Sequence, residues 1–481
     1  MKRRHFLQQA GLCAAACTGL ARHGLAQATT QPKPNILFLF TDDQTYRSIH
    51  ALNHPAVRTP HLDRLVRNGV TFTHAFNQGS WTGAICIASR AMLNTGQFVY
   101  RAQQSIGNER QEIAPTVPLW GETLGKNGYD TFFTGKWHNG DQALKTSFQH
   151  LGPHSGGFFP STPVEGAAYN RPAPGNPWSP YDKSQKGHWL QEEEGGIIHS
   201  SEKWANAAVE YLQTQTGLNP FFMYVAFHAP HDPRQAPKEY LDLYPLDQIE
   251  LPPNFLAEHP FDQGERHTLR DEVLAPFPRT EEAIKVHLQE YYAILTHTDA
   301  QIGRILDALE ASGQAENTLI FFSADNGLAM GQHGLLGKQN QYEHSIRMPL
   351  ILAGPGLPKN KTIDAPVYIH SLYATSCDLA GIATPETVEF PSLLPLIRGE
   401  KDALHECIFG SFAGFQRMIR TERYKLIVYP KAGEVQLFDL QTDPWEQTNL
   451  AADPTHAETI RSLKDRLRKL QHEVGDTLIL E

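Results

Sequence analysis

Cysteine is scarce in this sequence, with five residues in a chain of 481. Two of them fall in the first 28 residues, and the remaining three are Cys86, Cys377 and Cys407. Thiols this few and this widely spaced exclude a disulfide framework. A long apolar run is also missing, since none approaches the roughly 20 residues that a membrane-spanning helix needs. The sequence therefore predicts no transmembrane segment.

An excess of positive charge is lacking as well. Lys and Arg number 42 against 52 Asp and Glu, a formal charge of −10. The first 28 residues hold four basic groups and no acid, so the rest of the chain has 38 against 52, or −14. Such an acidic body excludes nucleic-acid binding by phosphate neutralisation. The apolar fraction of 40% and the aromatic fraction of 10% exclude a disordered chain and predict a large globular protein.

The first 28 residues have the pattern of an export signal. Residues 2–4 are Lys-Arg-Arg, residues 12–21 are apolar, and residues 26–28 form a small-x-small cleavage site. The two arginines also resemble a twin-arginine signal. The alternative is an amphipathic first helix, but the apolar stretch is rich in Ala, Gly and Cys and shows no helical period. We therefore expect an exported protein, periplasmic or secreted.

Apolar, β-rich runs alternate with helical patterns along most of the chain. The runs cover residues 35–41, 129–134, 220–227 and 318–323, and the clearest helical patterns cover 61–68, 117–127 and 281–312. This alternation predicts an α/β fold with a large, mostly parallel sheet between helices.

The pattern changes near residue 399. We predict a catalytic domain over 33–399, with insertions near 139–198 and 244–278. Over 400–481, short strands and a final charged helix predict a smaller α+β subdomain with an antiparallel sheet.

Polar side chains follow each of the four apolar runs. They are Asp42 and Asp43, Lys136 and His138, His231, and Asp325 and Asn326. Ligands of parallel sheets bind at the carboxyl ends of the strands, so we expect these residues to meet. Three carboxylates and an amide suit Ca²⁺ or Mg²⁺ better than Zn²⁺. The alternative is that the acidic pairs are ordinary turn residues.

A second constellation begins at Cys86. Residues 89–94 have a helical pattern, so Cys86 would lie at a helix N-terminus, where backbone amides favour an oxyanion. Arg90, four residues later, can return to the same face. The alternative is a buried structural cysteine beside a surface arginine. Lys338 adds a further candidate cation.

These residues form an ordered set of motifs that resembles one family. The set comprises residues 35–44, 86–90 (Cys-Ile-Ala-Ser-Arg), 93–96, 135–138, 229–231, 325–327, 332–338, 342–343, 347–349, 437–440, 443–444 and 449–450. The sequence is similar to the type I, formylglycine-dependent sulfatases of the alkaline-phosphatase-like superfamily, and in particular to exported bacterial glycan sulfatases. Ala88 replaces the commoner Pro of the signature, and His344 stands where a second Glu often occurs.

The resemblance implies an alkaline-phosphatase-like fold and a role for each residue. Cys86 would be converted by a formylglycine-generating enzyme to Cα-formylglycine, whose hydrate supplies the nucleophile. Asp42, Asp43, Asp325 and Asn326, together with modified Cys86, would bind Ca²⁺, with Mg²⁺ as the alternative. Arg90 and Lys136 would stabilise the hydrate and the charge on the sulfate, and Asp325 would also accept the nucleophile's proton. His231 and Lys338 would contact the sulfate and assist the leaving alcohol, and His138 would act as the base that releases sulfate.

The substrate is expected to be a sulfated poly- or oligosaccharide. The first insertion is rich in aromatic residues, and Trp178, Tyr181, His188 and Trp189 are candidates for stacking against or binding sugar rings. The alternative is that these residues pin the insertion onto the body of the protein. Three alternative functions stay open: a phosphonate or phosphodiester hydrolase, an arylsulfatase or choline-sulfatase-like enzyme, and a Ca²⁺-dependent glycan-binding protein without catalysis.

Overall fold

The computed structural model describes residues 33–480 except 53, 109–110, 113, 158–186, 193–194, 216, 265–268 and 270. The export signal expected over residues 1–28, and the candidate sugar-binding residues Trp178 and Tyr181, lie outside the described residues. Within the described part, no helix combines the length and the apolarity that crossing a bilayer requires.

The strands and helices alternate through the first three quarters of the chain. The strands are β1 Asn35–Thr41, β2 Gly69–Phe76, β3 Gly79–Ser80, β4 Gly107–Asn108, β5 Gln111–Glu112, β6 Asp130–Lys136, β7 His150–Ser155, β8 Trp189–Gln191, β9 Ile197–His199, β10 Phe221–Ala226, β11 Thr318–Ala324, β12 Arg347–Ala353, β13 Lys361–Ile363, β14 Val367–Tyr368, β15 Ile408–Phe412, β16 Gln416–Arg420, β17 Tyr424–Tyr429 and β18 Glu434–Asp439. The helices are α1 Pro60–Asn68, α2 Ile85–Thr95, α3 Val99–Ile106, α4 Trp120–Lys126, α5 Asp141–Ser147, α6 Ser200–Thr214, α7 Lys238–Leu241, α8 Glu281–Ala311, α9 Glu343–Ile346, α10 Leu372–Leu379, α11 Leu394–Ile397 and α12 Ala457–Val474.

A nine-stranded mixed sheet forms the centre of the molecule. Its strand order is β13-β2-β12-β11-β1-β10-β6-β7, with β14 pairing β2 beside this path. The pairs from β11 through β1, β10 and β6 to β7 are parallel, whereas β12 pairs antiparallel with both β11 and β2. The sheet is therefore mostly parallel, and the predicted α/β class is confirmed.

Strand β1 is buried on both faces, which explains why its sequence is an unbroken apolar run. On one face, Phe38 packs with Trp120 of α4, their ring centroids 5.2 Å apart. On the other face, Leu37 and Leu39 belong to a core cluster with Trp204 of α6 and residues of α8. The two helical layers fix the central strands and hence the positions of the residues that follow them.

A second, five-stranded sheet has the order β18-β17-β16-β15-β3. Strands β15 to β18 are antiparallel, as predicted for the C-terminal region, and α12 packs against them. The short strand β3 joins this sheet in parallel with β15, although it lies more than three hundred residues earlier in the chain. Residues Lys33–Glu481 form one compact unit. The domain boundary at residue 399 stays a prediction.

Candidate functional site

The ends of four neighbouring strands bring the predicted residues to one edge of the central sheet. Strands β11, β1, β10 and β6 are adjacent, and the candidate residues follow or end each of them. At the end of β6, Gly135 has a φ of 105°, and a Cβ there would lie 1.8 Å from the Ala226 carbonyl oxygen of β10. Only glycine fits this close approach, which places the next residue, Lys136, beside β10.

Three carboxylates lie at this edge, each at most 2% exposed: Asp42, Asp43 and Asp325. Asp325 Oδ1 accepts hydrogen bonds from the backbone nitrogens of Asp43 at 3.1 Å and Asn326 at 2.9 Å. Asp42, Asp325 and Cys86 each offer one possible ligand atom, and these three atoms lie within 4.8 Å of one another. The structure therefore joins the strand-end residues to the cysteine constellation.

Two buried cations bind the carboxylates from the side of α2 and β6. Arg90 Nη2 lies 3.0 Å from Asp42 Oδ2 and 2.9 Å from Asp325 Oδ2, and Arg90 Nη1 donates to the Lys136 carbonyl oxygen at 2.6 Å. Lys136 Nζ lies 2.5 Å from Asp42 Oδ2. Burial alone would raise the pKa of Asp42, but the charges of Lys136 and Arg90 outweigh it and hold that pKa well below its usual range.

A third cation, Lys338, binds the remaining carboxylate. Lys338 Nζ donates to both oxygens of Asp43, at 2.7 Å and 2.9 Å, and Asn326 Nδ2 donates to Asp43 Oδ1 at 2.5 Å. Burial and the repulsion of Asp42 and Asp325 still raise the pKa of Asp43 to about 7, against the opposing effect of Lys338. The three carboxylates are thus crowded enough that a further positive charge would be favourable.

The residues fit a hard divalent cation. Two oxygen acceptors in the cluster, Asp42 Oδ1 and Asn326 Oδ1, are buried and have no hydrogen-bond partner among the described residues. An unsatisfied buried acceptor is costly, and a cation coordinated by these oxygens would satisfy it. Carboxylate and amide oxygens are the ligands that Ca²⁺ and Mg²⁺ prefer. The set could hold the predicted metal.

Cys86 occupies the second position of α2, and the whole helix is buried. Its Sγ lies 3.3 Å from His138 Nδ1 and 3.7 Å from Lys136 Nζ. Burial raises the pKa of the thiol to about 11, although Lys136 and Lys338 oppose the shift. Burial, together with the charges of Lys136 and Arg90, holds the pKa of His138 well below its usual range. An unmodified thiol here is neutral, and a neutral imidazole faces it.

His231 lies on the other side of the carboxylates, in the loop after β10. Its Nδ1 donates to the carbonyl oxygen of Asp232 at 2.6 Å, so the Nε2 that lies 3.6 Å from Asp43 Oδ2 is the unprotonated nitrogen of the neutral ring. Burial and the charge of Lys338 hold the pKa of His231 well below its usual range. The structure thus brings together all ten residues predicted for the metal and catalytic groups.

The two described candidates for sugar binding are packed against the body of the protein. His188 is 2% exposed, with Nε2 at 3.0 Å from the His231 carbonyl oxygen and Nδ1 at 2.8 Å from Ser200 Oγ. Trp189 is half-buried and meets the His199 ring edge-on, with centroids 5.2 Å apart. Both ring nitrogens of His188 thus face protein atoms, and its part in sugar binding stays a prediction.

Some supporting residues carry no local sequence signal. The Tyr291 hydroxyl, from the middle of α8, donates to the Asp43 carbonyl oxygen at 3.0 Å and accepts from the Thr45 nitrogen at 3.1 Å. Glu272, which lies in the second insertion, accepts hydrogen bonds from the loop that carries Lys338. Only the unusual length of that insertion could have drawn attention to it.

A cavity of about 560 Å³ lies close to this cluster, lined by residues that include Arg47, Tyr292 and Trp445. Its lining residues include no member of the carboxylate, amide, thiol and cation cluster. The chemistry therefore stays assigned to the strand ends.

Two family models match the chain. The model described as "Sulfatase" matches residues 34–382, and the model described as "N-sulphoglucosamine sulphohydrolase, C-terminal" matches residues 331–473. A curated sulfatase of Formosa agariphila is 29% identical over 98% of this chain and 92% of its own length. These matches favour an enzyme over the non-catalytic glycan-binding alternative.

Two solved structures show the same fold. One is BT4656 in complex with D-glucosamine-2-N,6-O-disulfate, with a TM-score of 0.72, 20% identity and coverage of 92% of this chain and 99% of that chain. The other is the phosphonate monoester hydrolase of Silicibacter pomeroyi, with a TM-score of 0.72, 23% identity and coverage of 92% and 96%. The fold is shared by both kinds of protein, so it does not by itself select between sulfate and phosphonate.

Proposed function

Since the chain belongs to the sulfatase family and is a sulfuric ester hydrolase, we propose that it removes sulfate from a sulfated carbohydrate. The proposal includes a Cα-formylglycine formed from Cys86 and a divalent cation, Ca²⁺ or alternatively Mg²⁺. It also includes export of the protein and modification of Cys86 by a formylglycine-generating enzyme.

The observation that carries the proposal is the environment of Cys86. The side chain lies among Lys136, His138 and the carboxylates of Asp42 and Asp325, yet burial raises the pKa of its thiol to about 11. A neutral thiol is a weak nucleophile. A hydrated aldehyde at the same position would supply oxygen both as nucleophile and as metal ligand, and a bound cation would offset charge on the sulfate.

The fixed cations define where a sulfate group would be stabilised. Arg90, Lys136 and Lys338 are each at most 3% exposed and are held by carboxylates, so they require little reorganisation when charge develops on a substrate. Their positions beside Cys86 favour an anionic substrate centre at this point, although the protein as a whole is acidic.

The groups assigned to proton transfer lie on two sides of the site: His138 on the Cys86 side, and Lys338 with His231 on the Asp43 side. His138 faces Cys86 through Nδ1, which suits it to accept a proton from a hydroxyl at that position. Lys338 and His231 lie together on the Asp43 side, where they would contact the sulfate and the departing alcohol oxygen. The two sides of the site thus have different roles.

The carbohydrate part of the proposal rests on the C-terminal match. The matching model describes a family that acts on a sulfated amino sugar, and its matched segment, residues 331–473, includes Lys338 and strands β15 to β18 of the second sheet. The aromatic-rich insertion is consistent with sugar binding, because aromatic faces pack against pyranose rings.

The first experiment tests the nucleophile. The full chain is produced with and without a formylglycine-generating enzyme, and the peptide that contains Cys86 is measured by mass spectrometry. We expect the aldehyde only with that enzyme, and turnover in proportion to it. C86A, whose methyl group offers nothing to convert, should be folded and inactive. Turnover by fully unmodified protein at the rate of the modified protein would overturn the proposal.

The second experiment tests the substrate. Rates are compared for a sulfated glucosamine, 4-nitrophenyl sulfate, choline sulfate and a phenyl phosphonate monoester. We expect the highest kcat/KM for the sulfated sugar. A faster phosphonate would support the phosphonate hydrolase alternative, and a faster small sulfate ester would support an arylsulfatase or choline-sulfatase-like activity.

A further inference from the structure

The loop that carries Lys338 is fastened to the second insertion by one buried carboxylate. Glu272 is 2% exposed, and its Oε2 and Oε1 accept hydrogen bonds from the backbone nitrogens of Leu336 at 3.0 Å and Gly337 at 2.8 Å. These two amides immediately precede Lys338. Hydrogen bonds to an ionised acceptor are about twice as strong as those between neutral groups.

Arg279 completes the anchor from the other side. Its Nη2 lies 2.5 Å from Glu272 Oε2, and its Nη1 donates to the carbonyl oxygens of Glu272 and Ala275 at 2.7 Å and 2.8 Å. Arg279 Nε donates to the carbonyl oxygen of Gly334 at 3.1 Å, at the start of the same loop. Both ends of the segment 334–337 are therefore held by one buried ion pair.

The packing at Gly337 leaves no room for a side chain between the loop and the insertion. A Cβ at this position would lie 2.6 Å from Gln339 Oε1 and 2.9 Å from both Asp271 Cβ and Glu272 Oε1. Gln339, on the other side of Lys338, donates through Nε2 to Asp271 Oδ2 at 2.8 Å. Lys338 is thus held on both sides in sequence by residues 271 and 272.

We propose that Glu272, paired with Arg279, is a positioning residue for Lys338. The pair does not touch the reacting atoms; it fixes the backbone from which the Lys338 ammonium reaches Asp43 and, in the working enzyme, the leaving-group oxygen. The second insertion therefore contributes to catalysis through the loop it holds. This inference rests on the role proposed above for Lys338.

The positioning role predicts how the rate should depend on the leaving group. A poor leaving group, such as a sugar alkoxide, needs the charge of Lys338 more than an activated phenolate does. If Lys338 is displaced, the rate should fall most for poor leaving groups. A variant that merely reduced the fraction of folded enzyme would lower all rates by one factor.

The test uses the modified enzyme and aryl sulfates of graded leaving-group pKa, together with a sugar sulfate. For E272Q we expect kcat/KM to fall about 100-fold on the poorest leaving group, the scale for a misplacement of about 1 Å. The loss on 4-nitrophenyl sulfate should be several-fold smaller. R279K provides a second variant that keeps the charge and loses the forked contacts, should E272Q fold poorly.

A double-mutant cycle shows whether Glu272 acts through Lys338. K338A should itself steepen the dependence on leaving-group pKa, and E272Q added to K338A should change the rates less than twofold, because coupled residues are not additive. The inference would be overturned if the kcat/KM losses of the two single variants multiplied in the double variant, or if E272Q lost the same factor on all substrates. If K338A instead kept the wild-type dependence of rate on leaving-group pKa, the role proposed for Lys338 would be wrong.

D299N is the matched control. Asp299 is a buried carboxylate that accepts hydrogen bonds from two backbone nitrogens, those of His61 at 3.1 Å and Leu62 at 2.8 Å, at the start of α1. The same chemical change there should leave the leaving-group dependence unaltered. A crystal structure of E272Q gives a readout without activity: Lys338 Nζ should leave its position 2.7 Å from Asp43 Oδ1, and an unmoved Lys338 would overturn the inference.

Discussion

Two nitrogen atoms of Arg90 contact a single oxygen of Asp325. Nε and Nη2 lie 3.0 Å and 2.9 Å from Asp325 Oδ2, while the other carboxylate oxygen accepts two backbone N–H groups. The same Nη2 reaches Asp42, so one planar guanidinium orients two candidate metal ligands. A lysine has no such fork of donors.

R90K should therefore retain the charge and lose the geometry. We expect kcat/KM to fall about 100-fold or more, the scale for removing one preorganised donor. Metal affinity should fall about 10-fold or more, as it does when a side chain that hydrogen-bonds the metal ligands is removed. Steady-state kinetics and calcium titration measure the two effects. A variant with wild-type metal affinity would show that Arg90 does not orient the ligands.

Metal removal should destabilise the protein. A cation that binds only the folded state adds about 2.7 kcal/mol to the free energy of unfolding at 100 times its Kd. We expect a chelator to lower the Tm and Ca²⁺ to restore it. D42N, which alters a ligand with an unpartnered oxygen, should lose this response. D299N, a buried acid remote from the cluster, should keep it; equal responses in D42N and the wild type would contradict the assigned site.

The central strands could be predicted because each needs two buried faces. The run predicted over 35–41 coincides with β1, and the other three runs match β6, β10 and β11 to within two residues. Polar residues directly after such runs stand out, and the parallel pairing of the strands brings them together. This part of the site depends on local sequence and on one rule of sheet topology.

The remaining parts depend on contacts between distant segments. Strand β2 contains Thr71, Thr73 and His74 and pairs antiparallel with β12, nearly three hundred residues later, so its place in the central sheet has no local signature. The two-residue strand β3 is defined only by its pairing with β15. For the same reason the anchor of Lys338 on Glu272 became visible only in the folded chain.

His188 should influence catalysis through His231. Its Nε2 faces the His231 carbonyl oxygen at 3.0 Å and therefore carries the proton. We expect H188A to lower kcat/KM about tenfold, the size of loss typical when a hydrogen-bond partner that orients a functional histidine is removed. H188Q, whose amide can still donate, should recover part of the loss. Identical kinetics for H188A and H188Q would contradict a positioning role, and unchanged thermal response to Ca²⁺ would show that the metal site is intact.

Glu290 should make stability depend on pH. It is buried in α8, its Oε2 has no partner among the described residues, and burial raises its pKa to about 8 despite Arg234. The folded state therefore holds this proton to higher pH than the unfolded state, and stability falls as pH rises from the ordinary Glu pKa toward about 8. E290Q removes this loss, so its Tm advantage over the wild type should grow between about pH 5 and pH 8. A constant difference across that range would contradict the shift.

Lys425 should be essential for holding the second sheet to the central body. This side chain of β17 is fully buried, and its Nζ lies 2.9 Å from Glu343 Oε1 and 2.7 Å from Glu446 Oε1. K425M would leave two buried acids short of a cation, and breaking a buried pair costs about 3–5 kcal/mol.

Arg423 supplies the control, because its bond to Asp439 at 2.7 Å is half exposed. Solvent and salt screen exposed pairs, so R423A should change the free energy of unfolding far less than K425M does. Denaturant titration of both variants measures the contrast. Equal losses would mean that the Lys425 network stabilises no more than a surface pair, since desolvation would then offset most of its electrostatic attraction.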